Sequence, residues 1–390
     1  MTLTFVTNLV HHHQLPVADE FYRLLGDSYH YVATQPLPEW LIKGGYDPNL
    51  VRPYIVRTYL SDNEMKRARR LIDESDVVIM GDAPSWWADR RKQEEKITFY
   101  CTERIYKKGI PWLKLPWHAY LHYKSYGRYN NTYLLCASAY TSSDYSLTGC
   151  FLNKSFKWGY FTKVEENFSV EAPQGVSTPE IAHLMWCARF LVWKHPELPV
   201  QLAARLKSKG YQFHLDMYGS GDELSNIKTL INDLNVEDCV TLCGNKPNDE
   251  ILKEMQHHEI FLFTSDRNEG WGAVLNESMA NGCVPVASDA IGSVPYLVKD
   301  GLNGRVFHSC DIISLENAVC SLLDNPDMRR NMSREALKTM RDVWSPQKAA
   351  ENFVDLANHI LEGKLNQYAR TEGPASWEQN KYGRIRAKKI

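Results

Sequence analysis

The sequence lacks several common patterns, and each absence argues against one class of protein. No Cys-x-x-Cys pair occurs among the nine cysteines, so no familiar metal spacing is present. No stretch reaches the roughly 20 apolar residues that span a bilayer, so we expect any membrane contact to be peripheral. The net charge of -2 gives no global sign of nucleic-acid binding. The cysteines are odd in number and several lie in apolar runs, which predicts reduced, buried thiols in a cytoplasmic protein: Cys101, Cys136, Cys187 and Cys283.

What is present is a chain of 390 residues, too long for one ordinary core and sufficient for two domains. Short apolar runs alternate with polar, helix-like stretches in both halves, a pattern typical of parallel, doubly wound α/β sheets. The opening MTLTFVTNLV is predicted to be the first strand and not a signal peptide. We therefore predict two Rossmann-like domains facing a cleft, with ligands bound in the loops that follow the strands.

The predicted domain limits follow changes in composition along the chain. Residues 1–165 form an N-terminal domain, and residues 166–179, polar with Pro and Gly, form a linker. Residues 180–345 form a second domain, and residues 346–390 provide helices and a tail whose return to the first domain stays open. Residues 1–165 carry 21 Lys/Arg against 17 Asp/Glu, a charge of +4 that is compatible with an anionic membrane surface or with an ordinary solvated one.

The strongest motif runs from residue 265 to residue 289, SDRNEGWGAVLNESMANGCVPVASD. Glu269 lies in a loop after a predicted strand, and Glu277 lies one to two turns into the next helix. A carboxylate there is suited to accept hydrogen bonds from vicinal hydroxyls of a sugar or a ribose. Alternatively, Glu269 caps the helix and Glu277 is a surface residue. The apolar run around Glu277 favours a ligand role, because an unpaired buried carboxylate is costly.

The loop that enters this helix is a candidate phosphate site. Gly270 and Gly272 allow a close approach of backbone to a ligand. The helix start then presents N–H groups that suit an anionic diphosphate. The residues expected to donate them are Trp271, Gly272, Ala273 and Val274.

These residues resemble the family-four retaining glycosyltransferases of GT-B fold, whose mark is a Glu, seven residues and a second Glu. Glu269 and Glu277 have that spacing, and Pro285 and Gly292 fit the turn and strand that follow. One departure is Tyr296, where the family usually has Glu. The resemblance covers about residues 180–345. It implies a catalytic role at the donor sugar for Glu269, shared with Arg189 and Lys194, and ribose contacts for Glu277.

Two further segments extend this resemblance. Arg189 and Lys194 stand five residues apart in CARFLVWKHPE, as the family's phosphate-binding pair does. An Arg fork and a Lys charge suit a leaving diphosphate, although a solvated basic pair is the alternative reading of these two residues alone. The glycines of MYGSGDE, Gly219 and Gly221, match the family's glycine turn and are expected on the donor side.

The N-terminal half offers less specific candidates. The loop NLVHHHQLP carries His12, His13 and Gln14, which we expect to donate hydrogen bonds to the sugar or diphosphate; a His-rich loop without function is the alternative. Three adjacent His side chains point in different directions, so they do not predict a metal site. By the resemblance, Glu103 is the catalytic candidate on the acceptor side, and Arg104 is a phosphate or acceptor contact.

The resemblance implies a retaining transferase that moves a sugar from a UDP- or GDP-sugar to a glycan or lipid-linked acceptor. TERIYKKG and KWGYF are similar to enzymes of bacterial capsular, exo- or lipopolysaccharide assembly. No Asp-x-Asp motif occurs, which favours a metal-independent site with no resident cofactor. We expect a cytoplasmic protein with possible peripheral contact to the inner face of the membrane.

Three alternatives remain at this stage. The His loop and Tyr296 are compatible with a catalytically impaired nucleotide-sugar-binding protein. A sugar epimerase or phosphorylase of the same fold is not excluded by the Glu pair. An NAD-dependent oxidoreductase requires Gly-x-Gly-x-x-Gly after the first strand, and NLVHHHQLP has none.

Overall fold

The computed structural model describes residues 1–43, 47–165, 168 and 181–378. The chain divides into two compact units, one of residues 1–162 with 344–390 and the other of residues 163–343. The predicted linker 166–179 lies outside the described residues apart from residue 168, and so does the tail beyond residue 378. The predicted limits at residues 165 and 345 lie beside the limits of these units.

In the described residues, the first unit contains a seven-stranded parallel sheet in the order β3-β2-β1-β4-β5-β6-β7. Its strands are β1 (Leu3–Thr7), β2 (Tyr29–Ala33), β3 (Ile55–Arg57), β4 (Val77–Met80), β5 (Ile97–Thr102), β6 (Thr132–Cys136) and β7 (Ser155–Lys157). Its first helices are α1 (Leu15–Leu25), α2 (Glu39–Lys43), α3 (Asp62–Glu74), α4 (Asp89–Gln93), α5 (Leu115–His122) and α6 (Thr141–Ser146). Every position of β1, β4 and β6 is buried, as expected for strands covered on both faces.

The second unit repeats this plan with a six-stranded parallel sheet in the order β10-β9-β8-β11-β12-β13. Its strands are β8 (Ala182–Cys187), β9 (Phe213–Tyr218), β10 (Val240–Gly244), β11 (Ile260–Phe263), β12 (Val284–Ser288) and β13 (Arg305–Phe307). Its helices are α7 (Glu197–Ser208), α8 (Leu224–Asp233), α9 (Asn248–Met255), α10 (Val274–Ala280), α11 (Val294–Leu297), α12 (Ile312–Leu323) and α13 (Pro326–Asp342).

The strand order of each sheet reverses direction at one place. In the first sheet this switch point lies between β1 and β4, and in the second it lies between β8 and β11. In open parallel sheets, ligands bind outside the carboxyl ends of the strands at such a switch point. A ligand site in the second unit is therefore expected at the loops after β8 and β11.

The last long helix, α14 (Pro346–Leu361), belongs to the first unit. It packs along α1, and the fully buried ring of Phe353 lies 5.5 Å from that of Phe21 and 4.9 Å from that of Phe99. The chain that follows joins the sheet edge, where Trp377 pairs with Phe156 of β7. Among the described residues, no helix combines the length and apolar character that crossing a bilayer requires.

All nine cysteines are free thiols. Cys101, Cys136 and Cys283 are buried as expected, whereas Cys187 at the end of β8 is only half-buried.

Candidate active site

The loop after β8 carries the two predicted phosphate ligands, and backbone hydrogen bonds fix it to the next strand. The N–H of Ala188 donates to the carbonyl of Tyr218 at 3.2 Å, and the N–H of Phe190 donates to Ser220 at 2.9 Å. Arg189 lies between these two anchors and is exposed. Among the described residues, the guanidinium of Arg189 forms no ion pair, so its positive charge is available to an anionic ligand.

Gly219 and Gly221 make that close approach possible. A Cβ on Gly219 would lie 2.0 Å from the carbonyl oxygen of Ala188, and one on Gly221 would lie 2.4 Å from that of Phe190. Both glycines also have positive φ values, 128° and 153°. The turn predicted to contact the donor thus holds the backbone on both sides of Arg189.

The loop after β11 is bound to the loop after β8. The hydroxyl of Thr264 donates to the carbonyl of Lys194 at 2.7 Å and accepts from the buried Trp186 indole at 2.9 Å. The N–H of Asp266 donates to the carbonyl of Trp193 at 3.0 Å. The two loops therefore meet at the switch point of the sheet, as the parallel topology predicts.

Lys194 and Glu269 form an ion pair at this meeting point. Ser265 donates a second hydrogen bond to the same carboxylate oxygen at 2.9 Å, and Glu269 is 8% exposed. The helix that follows has Ala273 at its N-cap with no side-chain cap. The alternative reading of Glu269 as a helix cap is therefore wrong; a buried, charge-assisted contact holds it instead.

The glycine-rich segment between this loop and α10 is tightly packed. Gly270 and the indole of Trp271 are buried, and the Trp271 Nε1 donates to Asn276 at 2.8 Å. Gly272 has a φ of 80°, and a Cβ there would lie 2.3 Å from the Phe263 ring. Helix α10 begins at Val274. Within the described chain, the N–H groups of Gly272 and Ala273 donate to no protein acceptor, so both can serve a ligand.

Glu277 lies in the first turn of α10, with 7% of its surface exposed. Burial raises the pKa of this carboxyl to about 7, partly opposed by a hydrogen bond from Asn248. The reading of Glu277 as a surface residue is therefore wrong. A carboxylate kept inside a protein at this cost is expected to have a polar partner, and hydroxyl groups of a bound ligand would supply one.

His195 is a residue of this site that the sequence analysis did not single out. Its ring contacts Glu197 through Nδ1 at 2.7 Å and approaches Asp266 through Nε2 at 3.6 Å. The hydrogen bond with Glu197 raises the pKa of the imidazole. The residue has a left-handed backbone with a φ of 50°, an unusual conformation that its neighbours must stabilise. This backbone feature has no signature in the sequence.

In the first unit, the structure brings together three of the predicted residues, His12, His13 and Glu103. The ring of His13 stacks on Tyr160 with centroids 6.3 Å apart, and the Tyr160 hydroxyl donates to Glu103 at 2.8 Å. Lys107 donates to the other Glu103 oxygen at 2.6 Å. The ring of His12 lies 3.8 Å from that of His13. Tyr160, which lies in the quoted KWGYF segment, is the link between these residues that the sequence analysis missed.

Burial keeps the histidines of this cluster neutral. It lowers the pKa of His12 to about 4 and that of His13 to about 3. Neutral imidazoles have one N–H donor and one acceptor each, which suits hydrogen bonding to hydroxyl groups better than pairing with phosphate.

Two other predicted residues of this unit are engaged within it. The side-chain oxygen of Gln14 accepts from the buried hydroxyl of Tyr31 at 2.9 Å. Arg104 is buried beside Asp144, with 3.9 Å between Nη2 and Oδ1, and lies over the ring of Tyr140. Their proposed contacts with substrate stay predictions, and each would compete with an internal partner.

The arrangement in the second unit combines three chemical elements at one switch point. An exposed guanidinium and a lysine supply positive charge, two buried carboxylates supply hydrogen-bond acceptors, and backbone N–H groups supply donors. Among the described residues, no group of three or more His, Cys, Asp or Glu side chains is placed to hold a metal ion. This set suits a ligand that has both an anionic part and hydroxyl groups.

Solved structures of low sequence identity share this fold. The UDP complex of Alr3699/HepE from Anabaena aligns with a TM-score of 0.66 and 13% identity, covering 93% of this chain and 99% of that one. The lipopolysaccharide outer core galactosyltransferase WaaB aligns with a TM-score of 0.67 and 16% identity, covering 94% and 100%. With its two parallel α/β sheets, the chain therefore has the GT-B fold.

The second unit resembles a known family in its sequence. Residues 181–339 match the family described as glycosyl transferases group 1. The poly(glycerol-phosphate) alpha-glucosyltransferase of Bacillus subtilis is 31% identical over 153 residues, 39% of this chain and 22% of that protein. The amylovoran biosynthesis glycosyltransferase AmsK of Erwinia amylovora is 31% identical over 144 residues, 36% of this chain and 35% of that protein. The alignments thus span about a third or less of these curated relatives.

Proposed function

We propose that this chain is a glycosyltransferase of bacterial cell-surface polysaccharide synthesis. It moves a sugar from a nucleoside-diphosphate sugar to a glycan or lipid-linked acceptor, with retained configuration and without a metal ion. The observation that carries this proposal is the Lys194–Glu269 pair beside the exposed Arg189 at the switch point of the second sheet. The group 1 family match of the same segment supports it.

The donor is held by groups at both of its ends. Arg189, Lys194 and the N–H groups of Gly272 and Ala273 receive the diphosphate, whose charge they neutralise as the bond to the sugar breaks. Glu277 accepts hydrogen bonds from the ribose hydroxyls, and Glu269 accepts them from the sugar. Because Lys194 is paired with Glu269, the groups for the leaving diphosphate and for the sugar are positioned together.

In the transfer step, the bond between the anomeric carbon and the diphosphate oxygen breaks through an oxocarbenium-like state. The acceptor hydroxyl forms the new bond on the same face, which retains the configuration, and its proton passes to the departing diphosphate. No covalent nucleophile is assigned. In the first unit, the cluster of His12, His13, Tyr160 and Glu103 supplies the hydrogen-bonding groups for the sugar or acceptor.

Donor binding is the first experiment. Thermal-shift titration of the protein with UDP, GDP and ADP and their sugars, with and without EDTA, tests the site directly. UDP-glucose is a suitable first donor because HepE has been crystallised with it. A ligand at 100 times its dissociation constant adds about 2.7 kcal/mol to the folded state, which such a titration resolves. Stabilisation by one nucleotide that EDTA does not change supports a metal-free site, and no shift with any nucleotide contradicts the proposal.

Transfer and binding are then separated with variants. Arg189→Ala and Glu269→Ala should each lose about 100-fold or more in sugar release from the donor in the presence of acceptor mixtures. Arg334→Ala and Glu250→Ala, at exposed positions of the same unit, are the controls. Wild-type rates in Arg189→Ala or Glu269→Ala would refute the assigned roles. Donor binding without any transfer or release would instead favour the catalytically impaired nucleotide-sugar-binding protein.

A further inference from the structure

The first unit presents an exposed aromatic surface between Trp112 and Tyr123, here called the aromatic segment. It consists of a 3₁₀ turn (Trp112–Lys114), helix α5 and the first residue of a π-helical turn (Tyr123–Gly127), and none of the residues of these three elements is buried. Leu113 is 100% exposed, Trp112 is 56% exposed and Trp117 is 60% exposed. Its other exposed large apolar side chains are Tyr120, Leu121 and Tyr123.

Helix α5 exposes its large apolar side chains and turns its two histidines toward the protein. Its histidines face the protein: His118 bonds the Tyr106 hydroxyl at 3.2 Å, and His122 bonds the Thr148 hydroxyl at 2.9 Å. Trp117, Tyr120 and Leu121, at positions i, i+3 and i+4, form the exposed face. The histidine contacts hold the helix on the unit, whereas the apolar side chains left in water contribute nothing to its core, so the exposed face is suited to contact with another surface.

The charge around the aromatic segment has a single sign. Between Glu103 and Asp144 the chain contains no Asp or Glu. Its cations are Arg104, Lys107, Lys108, Lys114, Lys124 and Arg128. Arg104 and Lys107 are engaged with Asp144 and Glu103, which leaves four exposed cations beside the apolar face. Lys124 lies on the same helical face, with its ammonium 5.8 Å from the centre of the Tyr120 ring.

We propose that the aromatic segment docks on the surface of an anionic phospholipid bilayer. Trp and Tyr favour the membrane interface because their rings are apolar with one polar atom, and Lys and Arg beside them attract anionic headgroups. This single sign of charge favours an anionic lipid surface over a second copy of the chain, because two basic surfaces without acidic residues repel each other. Docking goes beyond the transfer reaction, because lipid binding needs neither donor nor acceptor.

Co-sedimentation with vesicles tests the proposal on the full chain. Wild-type protein should sediment with phosphatidylcholine vesicles that contain phosphatidylglycerol, less with phosphatidylcholine alone, and less again at high salt. The triple variant Trp112→Ser, Leu113→Ser and Trp117→Ser should lose about tenfold or more in partitioning. The charge reversal Lys114→Glu with Lys124→Glu should lose binding to the anionic vesicles specifically.

The controls change equally exposed positions elsewhere in the same unit. Val51→Ser with Leu60→Ser matches the apolar variant, and Lys66→Glu with Arg70→Glu matches the charge reversal. All variants are checked by circular dichroism and by nucleotide-induced thermal shift. Wild-type protein that stays in the supernatant with every vesicle overturns the proposal, and so does equal sedimentation of the triple variant. A change in oligomeric state of the triple variant without vesicle binding would overturn it in favour of a second copy of the chain.

Discussion

At the scale of single residues, the proposed donor site contains two buried carboxylates with different surroundings. Glu269 is held by Lys194 and Ser265. Glu277 is equally buried, and a hydrogen bond from Asn248 partly offsets the effect of burial on its pKa. Glu269 is thus matched with a positive charge, whereas Glu277 has no such partner among the described residues and is costly to ionise.

This difference predicts how stability depends on pH. Because the pKa of Glu277 is raised from 4.5 to about 7, the folded protein binds more protons than the unfolded chain between these values. The free energy of unfolding therefore falls as pH rises through this window and stays reduced above it. Glu277→Gln removes the ionisation cost, so it should stabilise the protein by about 3 kcal/mol at alkaline pH and less below pH about 5. Urea unfolding at several pH values measures this.

Glu250→Gln is the matched control, because Glu250 is exposed on α9 of the same unit. Its effect should be small at every pH. A destabilised Glu277→Gln protein at alkaline pH would show that the charged form has partners in the folded state. Nucleotide binding should be weaker in the same variant, since a neutral amide accepts hydrogen bonds from hydroxyls less strongly than a carboxylate does.

The cluster of His12, His13, Tyr160 and Glu103 gives a second prediction for single residues. Tyr160→Phe keeps the ring that stacks on His13 but removes the hydroxyl that donates to Glu103. If this cluster serves the sugar or acceptor, the transfer rate should fall about tenfold while nucleotide affinity is unchanged. Tyr129→Phe, at another tyrosine of the same unit, is the control. Equal losses in transfer and in nucleotide affinity would contradict a role on the acceptor side.

The residues of the site were predictable in part. The Glu269–Glu277 and Arg189–Lys194 spacings stand in the sequence itself, and the structure places all four beside one switch point. The partner of Glu269 was not predictable, because Lys194 is 75 residues away and reaches it only through the meeting of two loops. Tyr160 was missed for the same reason: its contacts with His13 and Glu103 depend on loop directions that no local pattern encodes.

At the scale of elements, the parallel strands were the most predictable part. Runs such as TFV, VVIM and IFLF are buried on both faces, so hydrophobicity alone locates them. The positions of the loops between the strands do not follow from hydrophobicity. The approach of residues 188–190 to residues 219–221 depends on two glycines whose missing Cβ atoms leave room for carbonyl groups.

The close contact of residues 188–190 with residues 219–221 predicts that a Gly→Ala change is more harmful there than at a glycine with open space around it. Gly221→Ala adds a Cβ that would lie 2.4 Å from the Phe190 oxygen, so the loop carrying Arg189 must move. We expect a loss of several kcal/mol in stability or, if the loop yields, about a tenfold loss in nucleotide affinity. Gly210→Ala is the control, because Gly210 also has a positive φ, 82°, but nothing lies within 4 Å of the added atom. Urea unfolding and nucleotide titration measure both, and equal effects of the two changes would contradict the steric argument.

At the scale of the whole molecule, the first unit is built from two separate parts of the sequence. The second unit is inserted between them along the chain, since the described residues from 344 onward belong with residues 1–162. The periodicity of SPQKAAENFVDLANHILEGKL predicts a helix there, but it does not specify which core receives its apolar face. That choice depends on Phe21, Phe99 and Trp158, whose rings surround Phe353.

This arrangement predicts which unit a change in the last helix weakens. Phe353 is fully buried, so Phe353→Ala should cost about 3 to 5 kcal/mol through lost contacts and a cavity. Hydrogen exchange should show lost protection in β1 and β5 of the first unit, while β8 and β11 keep theirs and nucleotide still binds. Leu361→Ala, at the exposed end of the same helix, is the control. Equal loss in both sheets would mean that the units unfold as one cooperative body, and loss confined to the second sheet would contradict the packing of α14.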